Sequence, residues 1–227
     1  MWVKICGNTN LEDAQQAASL GADAVGFVFA PSVRRVTADQ VAKITPHLPT
    51  GVERVGVFQI QDLDDIVAAV ERAGLTGAQL HGGGDRSLAP QLRARLGEGF
   101  AIIQTVHWVV EPGEESAANV ALRLREITAE GIVDRVLIDS KVGAALGGTG
   151  VSFDWAAARA VLSANAGHLK IIAAGGLRED NVIDAIEALQ PWGVEVSSGV
   201  EAEPRLKSPA KLAAFISNAR KARSAGR

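Results

Sequence analysis

Short apolar runs rich in β-branched residues alternate along the whole chain with longer stretches in which apolar positions recur at helical spacing, and no change of composition marks a linker. The runs predict strands at Val3–Cys6, Ala24–Phe29, Arg54–Phe58, Gly77–Leu80, Ala101–Thr105, Arg135–Ile138, Lys170–Ala173 and Gly193–Val196. The periodic stretches predict helices at Leu11–Leu20, Ala38–Ile44, Leu63–Ala73, Leu88–Leu96, Ala117–Glu130, Trp155–Leu162, Asn181–Leu189 and Pro209–Arg223. Thr37, Asp62 and Ser87 stand where the N-caps of the second, third and fourth helices belong. Parallel strands joined by right-handed crossovers follow from this alternation. Eight units in 227 residues, about 28 residues each, suffice to close a (β/α)8 TIM barrel as a single domain over residues 1–227. A doubly wound open sheet is the alternative, but no Gly-x-Gly-x-x-Gly follows the first strand.

Charge narrows the partners. Lys and Arg number 23 against 26 Asp and Glu, a net charge of −3 without the basic excess that binding a phosphate backbone needs, so no nucleic-acid partner is expected. The longest apolar runs fall far short of the ~20 residues of a membrane span, so no membrane partner is expected either. Met1-Trp-Val-Lys-Ile-Cys reads as a strand and not as a signal peptide, and a single cysteine suits a reducing, cytoplasmic compartment.

A closed barrel places its chemistry on the loops at the C-terminal ends of the strands. Read in order, those ends carry Cys6-Gly7-Asn8, Pro31-Ser32-Val33-Arg34-Arg35, His81-Gly82-Gly83-Gly84, Asp139-Ser140-Lys141, Gly175-Gly176-Leu177 and Ser197-Ser198-Gly199. Cys6 is either a small buried hydrophobe or a functional thiol; Lys4, two residues earlier on the same strand face, is placed to lower its pKa. Asp139 is either a turn former or a functional carboxylate beside the glycine-rich loop that follows, which contains Gly147-Gly148-Thr149-Gly150 and is suited to closing over a ligand. Gly175-Gly176 and Ser198-Gly199, after strands seven and eight, match the place where barrels bind phosphate through backbone N–H groups and a short helix N-terminus. Arg34 and Arg35 are either solvated surface charges or partners of a carboxylate. His81 either donates a hydrogen bond to a ligand or serves structure. His47, His107 and His168 receive no role, and four scattered histidines without ligand spacing argue against a metal site.

At these residues the chain resembles the phosphoribosylanthranilate isomerase family of tryptophan biosynthesis. The resemblance runs nearly end to end: Lys4-Ile-Cys6-Gly-Asn-Thr9, Gly21-Ala-Asp-Ala-Val-Gly-Phe27, Gln79-Leu-His-Gly82, Ile138-Asp-Ser140, Gly147-Gly-Thr-Gly150 with Phe153-Asp-Trp155, Gly175-Gly-Leu177 and Val196-Ser-Ser-Gly-Val-Glu201. It implies a cofactor-free, metal-free Amadori rearrangement of a small phosphosugar-anthranilate by a monomer or homodimer. Cys6 would be the general base, Asp139 the general acid, and Arg34 the cation at the anthranilate end. The turns Gly175–Leu177 and Ser197–Gly199, with Gly175, Gly176, Ser197, Ser198 and Gly199, would hold phosphate, and His81 would line the pocket. This chain departs from the family's pattern in three places. A second arginine, Arg35, stands where an aromatic residue is usual, so the choice between Arg34 and Arg35 stays open. Glu195 replaces the usual aspartate, and the tail reads Pro204-Arg205-Leu206-Lys207-Ser208.

Such a rearrangement needs one group protonated and one not. Cysteine at ~8.5 must come down and aspartate at ~3.9 must go up, the first through Lys4 and strand-end dipoles, the second through burial under the loop after strand six. Arg34, Arg35, Lys141 and backbone N–H groups are expected to form a local positive mouth for the anionic substrate. Two rivals remain: the related histidine-pathway isomerase or a dual-substrate barrel, expected to carry aspartate at the position of Cys6, and a non-catalytic phosphosugar-binding barrel. Glu195 and Ser197 share a strand face, so Glu195 is expected to point into the barrel and pair with Lys4 on the adjacent first strand.

Overall fold

Strands buried on both faces need nearly continuous apolar runs, and that is what the short β-branched segments provide. In the computed structural model, which describes residues 1–59, 62–82, 87–109, 114–133, 135–141 and 155–225, eight strands close into one parallel barrel in sequence order. They are β1 Trp2–Ile5, β2 Ala24–Val28, β3 Glu53–Phe58, β4 Gly77–Leu80, β5 Ala101–Val109, β6 Arg135–Lys141, β7 Lys170–Ala173 and β8 Gly193–Val196. The helices are α1 Leu11–Ser19, α2 Ala38–Ala42, α3 Leu63–Ala73, α4 Leu88–Leu96, α5 Glu114–Glu130, α6 Trp155–Asn165, α7 Val182–Leu189 and α8 Pro209–Ala225. A two-stranded ribbon, β9 Glu201–Glu203 and β10 Leu206–Lys207, precedes α8.

Closure is made by β1 on β8, with Lys4 in register with Glu195 and Ile5 with Val196. Alternate residues of each strand face inward. Trp2, Ala24, Val55, Ile103, Leu137 and Ile172 fill the lower barrel, while the outward residues, such as Val3, Ile5, Val25, Phe27 and Ile102, pack under the helices. At the floor Trp2 and Trp192 stack with ring centroids 5.3 Å apart, and the Arg135 guanidinium lies over both rings.

Helix ends follow local chemistry in part. Thr37 and Gln40 form a reciprocal capping box at α2, and Asn10 caps α1 by accepting from the Asp13 N–H at 2.8 Å. Asp62 occupies the N-cap of α3 without a side-chain cap bond, and the Ser87 hydroxyl instead accepts from Gln91 at 2.6 Å. The second helix stops at Ala42, and a 3-10 turn containing Pro46 follows at Thr45–His47, since proline cannot continue the hydrogen-bond ladder. Two strands outrun the apolar signal: β5 continues to Val109 and β6 to Lys141, pairing His107 with Asp139 and Trp108 with Ser140.

Candidate active site

The inward parity that begins with Trp2 brings Lys4 and then Cys6 up the same wall of the barrel. The same count brings up Gln79 and His81 from β4, Thr105 and His107 from β5, Leu137 and Asp139 from β6, and Glu195 and Ser197 from β8. Above the apolar floor there is therefore a polar layer, and above it an open cavity of about 780 Å³ lined by Cys6, Arg34, Arg35, His81, Asp139, Glu195 and both glycine-rich turns. That volume is in the ordinary range of small-molecule sites.

In the polar layer, the fully buried Lys4 ammonium donates to Glu195 Oε2 at 2.6 Å and to the side-chain oxygen of Gln79. The expected Glu195–Lys4 pair is present, and Gln79 joins it, in turn donating weakly to Thr105 Oγ1 at 3.4 Å. Burial pulls the Lys4 pKa down, but the adjacent Cys6 and Glu195 outweigh it and leave Lys4 raised, hence charged. Gly26 on β2 makes room for this: a Cβ there would lie 2.7 Å from Cys6 Sγ and 2.9 Å from Lys4 Cε.

Cys6 follows β1 directly, and its N–H donates to the Val196 carbonyl at 2.8 Å. Its thiol is pushed up to about 11, by burial first and by the Glu195 carboxylate second, against Lys4 and Lys207. Lys4 acts in the expected direction but is outweighed, so the expectation of a lowered thiol pKa is corrected. The lysine's charge is already matched by Glu195, so too little field is left to repay desolvation of a thiolate. Asp139 behaves as expected in direction. Burial and the field of Glu195 lift its carboxyl to about 7, against the Ser140 N–H and Lys4.

His81 ends β4 with its Nε2 3.9 Å from Asp139 Oδ2 and its ring edge-on to His107 at 5.0 Å. Burial first, then His107 and Lys4, lower it to about 4, so it is neutral at pH 7. Its Nδ1 has no hydrogen-bond partner among the described residues. His107 Nε2 lies 3.3 Å from the His81 carbonyl oxygen. Ligand atoms of His81, His107 and Asp139 all fall within 4.8 Å of one another, a donor set of the kind that can hold a divalent ion. Sequence spacing does not show it because the three residues come from three strands.

Arg34 is half-buried against the cavity, forked onto Glu201 with Nε at 2.7 Å and Nη2 at 2.6 Å. Its pKa is raised by that hydrogen-bonded carboxylate against the opposing effect of burial. Arg35 is exposed. Gly7, at φ +72°, lets the arginine pass: a Cβ there would meet Arg34 Cδ at 2.6 Å. Gly175 and Gly176 take positive φ. A Cβ on Gly175 would lie 2.2 Å from Ser140 Oγ, and one on Gly199 would lie 1.9 Å from the Leu177 carbonyl oxygen. The structure thus brings Cys6, Asp139, Arg34, His81, Gly175, Gly176, Ser197, Ser198 and Gly199 to one cavity. The side chain of Lys141, Gly83 and Gly84, the loop 147–150 and residues 153–154 lie outside the described residues.

Gln79, Glu201 and Lys207 are placed at the site by the structure without having drawn a role from sequence. The signal available was polarity where the pattern demands burial: a glutamine inside a four-residue strand, a glutamate directly after the apolar Val200, and a lysine that follows Leu206.

A family model described as N-(5'phosphoribosyl)anthranilate (PRA) isomerase matches residues 3–218. An N-(5'-phosphoribosyl)anthranilate isomerase of Pelobacter propionicus is 39% identical over 223 residues, covering 98% of this chain and 97% of that protein. The solved phosphoribosyl anthranilate isomerase of Thermotoga maritima superposes with a TM-score of 0.82 at 34% identity, covering 97% of this chain and 99% of that one. A further solved isomerase, in complex with reduced 1-(o-carboxyphenylamino)-1-deoxyribulose 5-phosphate, matches with a TM-score of 0.78 at 32% identity over the same shares.

Proposed function

The chain belongs to the N-(5'-phosphoribosyl)anthranilate isomerase family, and from that premise we propose which of its residues carry the reaction. The reaction converts N-(5-phosphoribosyl)anthranilate to 1-(2-carboxyphenylamino)-1-deoxyribulose 5-phosphate, an isomerisation in tryptophan biosynthesis. Asp139, protonated, gives its proton to the furanose ring oxygen, and the ring opens to a Schiff base. Cys6, as thiolate, takes the C2′ proton and leaves an enolamine. The enolamine gains a proton at C1′ and loses the one on its C2′ oxygen, so the net change moves hydrogen within the substrate. Acid and base act on two atoms that are both bonded to C1′, which calls for two groups at the end of one cavity.

The observation that carries this reading is Asp139: an aspartate lifted to about 7 by burial, lining the same cavity as a buried thiol, is an acid available at neutral pH. Arg34 is read as the cation for the anthranilate carboxylate, and neutral His81 as a hydrogen-bonding wall of the cavity. Backbone N–H groups at Gly175, Gly176, Ser197, Ser198 and Gly199 are read as the phosphate cradle, whose close backbone approaches only glycine permits. We further infer a cytoplasmic monomer or homodimer without nucleic-acid or membrane partners, supported by the net charge of −3 and by described helices none of which is long and apolar enough to cross a membrane.

The test is turnover of phosphoribosylanthranilate, followed by loss of its fluorescence. Cys6→Ala and Asp139→Asn are each expected to lower kcat by at least ~10²-fold with KM little changed. Near-full kcat in either variant overturns the assignment.

A further inference from the structure

Beyond the acid–base pair, three charges form a row that begins at Arg34 in the cavity wall and runs behind it. Glu201, which opens β9, is only 7% exposed and gives one carboxylate oxygen to each of two guanidinium nitrogens of Arg34. Lys207 on β10, 3% exposed and paired across the ribbon with Glu201, donates its ammonium to Glu201 Oε1 at 3.2 Å and to the Ser197 carbonyl at 3.0 Å. The lysine is itself anchored, its backbone N–H donating to Asp13 Oδ2 of α1 at 3.0 Å. Lys211 Nζ of α8 donates to the Glu201 carbonyl at 3.1 Å.

Buried ion pairs of this kind contribute little net stability compared with apolar packing, so stability alone is a weak reason for a plus–minus–plus row. The geometry has a direction, however. Glu201 occupies the Nε–Nη2 edge of the guanidinium and leaves the Nη1–Nη2 edge for a second carboxylate, since the planar fork carries five donors. At the other end Lys207 grips the carbonyl of Ser197, the residue that begins the turn after β8. One continuous chain of charge-assisted hydrogen bonds therefore joins the arginine on the loop after β2 to that turn.

We propose that Glu201 and Lys207 are positioning residues that hold Arg34 at a fixed spacing from the Ser197–Gly199 turn, so that substrates are selected by the distance between their carboxylate and phosphate ends. The inference deepens the site reading above and rests on Arg34 meeting the substrate's carboxylate. A ligand with only one of the two anionic ends gains nothing from the spacing. A ligand with both is bound by a frame already set, at little cost in ordering either group.

The test is steady-state kinetics of Arg34→Ala, Glu201→Gln, their double variant and Lys207→Met, with inorganic phosphate as a competing probe. Glu201→Gln is expected to raise KM ~10-fold with kcat little changed, as for loss of one charge-assisted contact, and to leave the inhibition constant of phosphate alone. In the Arg34→Ala background the same change is expected to do nothing further, because Glu201 acts through Arg34. Lys207→Met is expected to raise both KM and the phosphate inhibition constant ~5-fold, as it frees the turn as well as the arginine. An additive KM effect of Glu201→Gln on top of Arg34→Ala overturns the proposal, as does an unchanged or lowered KM in Glu201→Gln while Arg34→Ala raises it. If Arg34→Ala itself keeps the parent KM, the carboxylate reading of Arg34 fails, and that result is distinct from the other two. Should Glu201→Gln be recovered only unfolded, Lys207→Met decides: KM and phosphate inhibition both unmoved overturn the coupling.

Discussion

At Cys6 and Asp139 the ionisation order runs opposite to what an acid–base pair is usually given, with the acid near 7 and the thiol near 11. The proposed mechanism requires Asp139 protonated and Cys6 deprotonated. Below pH 7 the acid stays protonated while the thiolate fraction rises tenfold per unit, so kcat/KM is expected to climb. Between about 7 and about 11 each gain in thiolate is offset by loss of protonated acid, and the profile is expected to run level, falling only above. A falling limb near 7 would show that the thiol of the working enzyme titrates below Asp139. Sequence could name both residues because they stand at strand ends, yet it could not show how far burial lifts each of them, with the charge of Glu195 adding to the rise in both. For Lys4 and Glu195 strand parity was enough to foresee the pair; Gln79, which completes it, needed the three-dimensional register of β4.

Among the elements, β1 and β8 meet through that same pair. Removing one partner leaves a charge in the barrel, so Glu195→Gln and Lys4→Met are each expected to destabilise the fold by ~3–5 kcal/mol, with the double variant milder than their sum. Denaturant melts of the three variants measure this, and small additive effects would contradict it. The phosphate turn makes a second expectation. Gly199→Ala places a methyl group 1.9 Å from the Leu177 carbonyl, so the backbone must move. A cost of ~1–3 kcal/mol is expected together with a raised KM, both readable from melts and initial rates. Legibility also divides by element. Six strands end within a residue of where their apolar runs end. β5 and β6 outrun theirs because His107, Asp139 and Ser140 are polar residues within strands, their inward side facing the cavity and not a core. Helical period alone carries the second helix through Ile44, whereas it ends at Ala42, because Pro46 follows closely and a 3-10 turn takes over.

For the whole molecule, a net charge of −3 and a doubly anionic substrate appear mismatched until the charges are placed. Arg34 and Arg35 line the cavity, and the cluster of Arg34, Glu201 and Lys207 carries one more positive than negative charge, so attraction is local and survives a negative net charge. The His81, His107 and Asp139 group adds a constraint of its own. An ion bound there would hold Asp139 as its carboxylate and remove the proton proposed to open the ring. Activity is accordingly expected to persist through exhaustive dialysis against EDTA. Loss of turnover on chelation, restored by a divalent ion, would contradict the acid role of Asp139.

The Lys4–Glu195 pair spans 191 positions of sequence, and that separation bears on how the protein is made. On a ribosome adding ~5–20 residues per second, Lys4 emerges roughly ten to forty seconds before its partner. Through that interval the first strand carries an ammonium bound for the barrel interior with nothing there to neutralise it. A partly made barrel is therefore penalised at the position on which its chemistry later depends, and the nascent chain has reason to keep its first strand in water. Only when β8 has been translated can the ring of strands shut, and α8 then clasps the seam, with Arg220 reaching back to the Met1 carbonyl and to Asp23. Assembly is thus weighted towards its last step, and a chain released early exposes its buried cation to solvent instead of trapping it in a half-formed core.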